Sequence, residues 1–210
     1  MKRPRVVFLD WDGTLSVSRF WQQWDDPSHE RHEAYQAIQR ELFRNRPQVV
    51  TDWMRGQLKL QDCLNLVVEY TGLSREELEQ ELEESCRKMQ YVSPVVPELI
   101  NQLRCSGMKV VVATDNMDAF TRWTVPALGL NELCDDVLVS HSVRALKRDR
   151  ALSGESLFFG PYLEQHGILP SEALLIDDSK SNELADYGLQ FHRIERGAGL
   201  VPVLKELVAA

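Results

Sequence analysis

Cysteine is scarce in this 210-residue sequence, and Cys63, Cys86, Cys105 and Cys134 form no Cys-x-x-Cys pair and have no histidine at metal-ligand spacing. Neither a zinc site nor a disulfide scaffold is indicated, and the reduced thiols of a cytoplasmic protein fit best. Long apolar runs are missing too. The first one, Val6 to Leu9, follows a few basic residues and is too short for a secretory h-region or a membrane span. Positive charge is in deficit, with a net charge of -8 and one short basic cluster from Arg144 to Arg150. The expected partners therefore include neither nucleic acid nor membrane. No internal repeat or low-complexity segment interrupts the chain, whose length suits an ordinary domain with an insertion or one larger domain.

What the sequence does contain is organised around Val6-Val7-Phe8-Leu9-Asp10-Trp11-Asp12-Gly13-Thr14-Leu15. Four apolar residues without alternation predict a strand covered on both faces, as in a parallel sheet between helices. Ligands of such sheets bind beyond the carboxyl ends of the strands. Asp10 and Asp12 are two apart, so in an extended chain both side chains leave on the same side, and Gly13 lets the backbone turn. Two acids this close repel, which raises one pKa unless they share a cation. One can remain ionised as nucleophile or metal ligand while the other exchanges a proton as general acid and base.

Helical patterns dominate from Arg19 to Gln90. His29 to Phe43 predicts a helix through Tyr35, Ile38, Leu42 and Phe43, which Pro47 interrupts. Val50 to Tyr70 predicts a second with a break at Gly56, and Ser74 followed by Glu77 is a capping box opening a third. Trp21, Trp24 and Trp53 fit the core of this block better than a substrate platform. Arg19, Arg55 and Lys59 are its polar candidates, for contact with a leaving group if the block is the cap that the resemblance below implies. Apolar strands then recur: Lys109 to Ala113, ending in Thr114-Asp115-Asn116; Asp136 to Ser140; Leu174 to Ile176, ending in Asp177-Asp178-Ser179-Lys180; and Phe191 to Ile194. Helices are predicted around Leu99 to Leu103, Phe120 to Leu128, Phe158 to Gly167, Leu184 to Tyr187 and Val203 to Val208. Four carboxylates at one mouth would be prohibitive without a divalent cation.

Asp10-x-Asp12-Gly13-Thr14 after an apolar strand, Thr114 after a second, Lys147, and Asp177-Asp178 after a later strand resemble, in order, the four motifs of the haloacid dehalogenase superfamily. The resemblance implies a doubly wound, Rossmann-like α/β core of residues 1–17 and 92–210 with a parallel sheet, and an inserted α-helical cap domain of residues 18–91. It implies a Mg²⁺-dependent phosphatase acting on a small phosphorylated substrate through an aspartyl phosphate. Asp10 would be the nucleophile and Asp12 the general acid and base. Thr114, Asn116 and Lys147 would bind phosphate, and Mg²⁺ would be held by Asp10, the carbonyl of Asp12, Asp177 and Asp178. Arg144, Arg148 and Lys180 compete with Lys147, because Arg148 follows where many relatives have proline. A phosphomutase of the same fold, a non-enzymatic phospho-acceptor such as a receiver domain, and a binding protein are the alternatives.

Overall fold

The computed structural model describes residues 3–179 and 187–210. Five strands, β1 (Val6–Leu9), β2 (Lys109–Thr114), β3 (Asp136–Val139), β4 (Ala173–Asp177) and β5 (Gln190–Arg193), form one sheet in the order β3-β2-β1-β4-β5. Every pairing is parallel. The unbroken apolar runs explain this, because alternate residues of each strand enter two different cores. Val7, Leu9, Val110, Val112, Leu174 and Ile176 face one layer of helices. Val6, Phe8, Val111, Ala113, Ala173 and Leu175 face the other, built on Phe158, Phe159, Tyr162 and Leu163. The fold is the expected doubly wound α/β arrangement, with β1 at its centre.

Register fixes where the chemistry sits. Leu9 is level with Val112 on one side and with Ile176 on the other. The next residues, Asp10, Ala113 and Asp177, therefore reach the carboxyl edge together, with Thr114 one step on. Asp10 N–H donates to the Ile176 carbonyl at 3.1 Å, the last rung of the ladder.

Between β1 and β2 lie α1 (His32–Ile38), α2 (Pro47–Met54), α3 (Leu60–Thr71), α4 (Arg75–Arg87) and α5 (Val96–Cys105). The helix expected to continue to Phe43 stops as α-helix at Ile38 and runs on as a π-helical segment, Gln39–Arg44. The capping box at α4 is present, with Ser74 Oγ accepting from Glu77 N–H and the Glu77 carboxylate accepting from Ser74 N–H. Trp21, Trp24 and Trp53 are fully buried, and Trp53 Nε1 donates to Asp118 at 2.7 Å. Phe120–Thr124 is also π-helical rather than part of one long helix. The sheet side closes with Gly160–Gln165 and Leu200–Ala209. The helix expected from Leu184, and Lys180, lie outside the described residues. No helix among the described residues is long and apolar enough to cross a membrane.

Candidate active site

The residues after β1 make a tight turn. Gly13 N–H donates to the Ser16 carbonyl at 2.6 Å, and Leu15 N–H to the Asp10 carbonyl at 3.2 Å. Gly13 has φ of +90°, and a Cβ there would stand 2.2 Å from Asp178 Oδ2. Glycine is thus required twice, for the backbone conformation and for the approach of the later acid. The turn also separates the two aspartates expected to point the same way, because the strand ends at Leu9. Asp10 is buried, whereas the Asp12 side chain is 56% exposed and pairs with Arg196 at 2.7 Å.

Lys147 is the cation at the centre. Its Nζ donates to Asp10 Oδ1 at 2.8 Å and to Asp177 Oδ2 at 2.5 Å. Its own N–H donates to Asp115 Oδ1 at 2.9 Å, which ties the loop after β3 to the end of β2. Of the competing cations, the two among the described residues do not make these contacts. Arg144 donates to the Gly56 carbonyl, and Arg148 lines the cavity while making neither of these aspartate contacts.

Thr114, at the end of β2, is 1% exposed, and its Oγ1 has no hydrogen-bond partner among the described residues. A buried hydroxyl in that state is open to a water or a ligand atom. Asn116 is more occupied, since its N–H donates to Ser140 Oγ and its Oδ1 accepts from Met117 N–H. Asp10, Asp177 and Asp178 each offer a carboxylate oxygen within 4.8 Å of the others. The Asp12 carboxylate is not in that group, so any part Asp12 has in holding a metal falls to its backbone carbonyl.

Burial pushes the Asp10 carboxyl up to about 7, the nearby Asp177 adds to the rise, and Lys147 opposes it. Burial also raises Asp115. In Asp177 burial acts upward, but Lys147 and the Ser179 hydrogen bonds outweigh it and hold the group below the usual carboxylate range. For Lys147, burial favours the neutral amine, and Asp10, Asp177 and Asp115 overcome it to keep the ammonium charged. Five carboxylates, of Asp10, Asp12, Asp115, Asp177 and Asp178, thus line a cavity of about 270 Å³ with Lys147 and Arg148. A multivalent cation suits this imbalance.

Sequence reasoning missed Arg196. It stands in the loop after β5 and bridges Asp12 at 2.7 Å and Asp178 at 3.1 Å. Gly197 N–H donates to the Gly13 carbonyl at 2.8 Å, which fixes that loop to the turn after β1. The available signal was a cation followed by glycine just past the last strand, at the edge where ligands bind. Arg55, a leaving-group candidate, instead forms a two-pronged pair with Asp149 at 2.8 and 2.6 Å. Asp149 also accepts from Leu146 N–H, so Arg55 reaches the Lys147 loop rather than a substrate. Lys59 sits at the start of α3, with its N–H on Asp62.

A second cavity, of about 280 Å³, opens toward the helical segment. Asp12 and Asp115 line both cavities. Arg19 is among the residues of the second.

A model of the haloacid dehalogenase-like hydrolases matches residues 4–185. Comparison with curated proteins gives no match. Among solved structures, a predicted HAD-like family hydrolase of Porphyromonas gingivalis is similar at 15% identity, with 99% of each chain covered and a TM-score of 0.68. A HAD family enzyme of Bacteroides thetaiotaomicron, solved as a magnesium complex, has 14% identity, 97% of this chain and 100% of its own covered, and a TM-score of 0.72. The L-2-haloacid dehalogenase of Xanthobacter autotrophicus has 16% identity, 91% and 77% covered, and a TM-score of 0.65. At these identities the likeness is one of fold.

Proposed function

Since the chain belongs to the haloacid dehalogenase-like hydrolases, we propose that it is a Mg²⁺-dependent phosphatase that hydrolyses a small phosphate monoester through an aspartyl phosphate on Asp10. The observation that carries this reading is the convergence of Asp10, Asp177 and Asp178 on one point beside Lys147, with the unpartnered Thr114 hydroxyl at the same sheet edge. Residues 1–17 and 92–210 are the core in this reading, residues 18–91 are the cap over it, and the four free cysteines suit the cytoplasm.

The donor set fits Mg²⁺, a hard cation that takes few carboxylates and keeps several waters. Asp10, Asp178 and the Asp12 carbonyl would hold it, with Asp177 oriented by Lys147 and Ser179 beside them. When bound, it supplies positive charge that neutralises the transferring phosphoryl group and keeps Asp10 ionised. A solved enzyme of this fold from Bacteroides thetaiotaomicron was crystallised with magnesium and inorganic phosphate, which supports the same choice here.

The chain's own residues then have distinct tasks. Asp10, anchored by Lys147, attacks phosphorus in line, and the bond from phosphorus to the ester oxygen breaks. Thr114 Oγ1 and Lys147 Nζ donate to phosphoryl oxygens, a neutral and a charged donor at one sheet edge. Asp12 enters as the acid and protonates the departing alkoxide. As a carboxylate it next takes a proton from the water that attacks phosphorus, and Asp10 is restored. Arg196 holds the otherwise exposed Asp12 in place. A halide needs no proton to depart, so an acid at Asp12 favours oxygen leaving groups over carbon–halogen cleavage. The test is phosphate release from phenyl phosphate by the purified protein with Mg²⁺ and with a chelator. Metal-dependent release is expected, and release that ignores the chelator would sink the proposal.

A further inference from the structure

The second cavity narrows what that phosphatase would accept, an inference that rests on the phosphatase reading. The ester oxygen must lie by Asp12, and Asp12 belongs to both cavities. The alcohol part of a substrate therefore extends into the chamber of about 280 Å³. Its walls are Trp11, Phe20, Phe43, Met54, Met89 and Met117. Trp11 is set by its contacts with Phe120 and Tyr91, at ring separations of 5.1 and 6.0 Å, and Met89 and Met117 are almost fully buried. Methionine is soft and adapts to irregular apolar shapes.

Polar partners are few on the side of the helical segment. Among the described residues they are Ser18, Arg19 and Gln39, with Asn116 added from the sheet edge, and Ser18 Oγ already accepts from Gln90 N–H at 3.1 Å. Gln39 and Phe43 both come from the π-helical segment Gln39–Arg44, a form common at functional sites. The chamber is slightly smaller than the roughly 300 Å³ at which small-molecule sites usually begin, which favours a compact group. A sugar would bring several hydroxyls against apolar walls and leave most of them without the partners they have in water.

We infer that the substrate is the phosphate monoester of a compact, predominantly apolar alcohol, held by the Trp11, Phe20, Phe43, Met54, Met89 and Met117 chamber, rather than a sugar phosphate. Cyclohexylmethyl phosphate and glucose 6-phosphate test this, because both are primary esters on a saturated six-membered ring and differ in hydroxyls. With Mg²⁺, kcat/KM should favour the first by at least about 30-fold, and Phe43→Asn should shrink that ratio at least about 10-fold. Calorimetry on the Asp10→Asn variant should give the same order of affinity. Equal or better turnover or binding of glucose 6-phosphate would overturn the inference. If neither ester is hydrolysed but cyclohexylmethyl phosphate still binds more tightly, the chamber assignment stands and the phosphatase reading falls.

Discussion

Replacing Lys147 with methionine should reveal how much of this site is held together by one ammonium. Lys147 Nζ lies 2.8 Å from Asp10 and 2.5 Å from Asp177, and those residues are 5% and 1% exposed. Methionine fills much of the volume but leaves two buried carboxylates facing each other. Removing one partner of a buried pair costs about 3–5 kcal/mol, and the cost must depend on pH. The Asp10 carboxyl is held at about 7, above its ordinary 3.8. A folded-state value above the unfolded one means that Asp10 favours the fold most at low pH, and that this contribution is lost as pH rises through the folded value. Without Lys147 the folded value moves still higher, so the window extends beyond pH 7. Urea unfolding followed by tryptophan fluorescence, in a chelator, should show Lys147→Met costing about 3–5 kcal/mol at pH 8 and markedly less at pH 5. A cost below about 1 kcal/mol at pH 8, or one that is greater at pH 5, would refute the reasoning.

Thr114→Val should lower kcat/KM for phenyl phosphate about 100-fold, the scale of one lost oxyanion donor. Because Thr114 Oγ1 has no partner among the described residues, the urea midpoint should not fall; a matching loss of stability would show that the hydroxyl is structural. Arg55→Met should remove the two-pronged hold on Asp149, loosen the Lys147 loop and reduce kcat about 10-fold. Arg55→Lys should recover little, because an ammonium cannot make both bonds; steady-state kinetics on the two variants would show whether it does.

Much of the architecture was legible because period and punctuation are local. Val6 to Leu9 announces a strand buried on both faces, and its parallel neighbours end in Thr114 and Asp177 as the apolar runs suggest. The register that brings Asp10 beside Asp177 follows from pairing these runs edge to edge. Other features depend on residues far apart in the chain. Arg196 is 184 positions from Asp12 and Arg55 is 94 from Asp149, and neither pairing has a periodic signature. The divergence of Asp10 and Asp12 was hidden because strand alternation ceases to apply where the Gly13 turn begins. The π-helical segments Gln39–Arg44 and Phe120–Thr124 also escaped, since an extra residue per turn hardly disturbs helical spacing over so short a run.

The most direct measurement on the central claim is peptide mass spectrometry of the enzyme quenched in acid during turnover of phenyl phosphate. The account predicts phosphate on the peptide carrying Asp10 when Mg²⁺ is present, and none with a chelator or in Asp10→Asn. Turnover without that phosphopeptide, or phosphate on Asp115 or another residue, would contradict it.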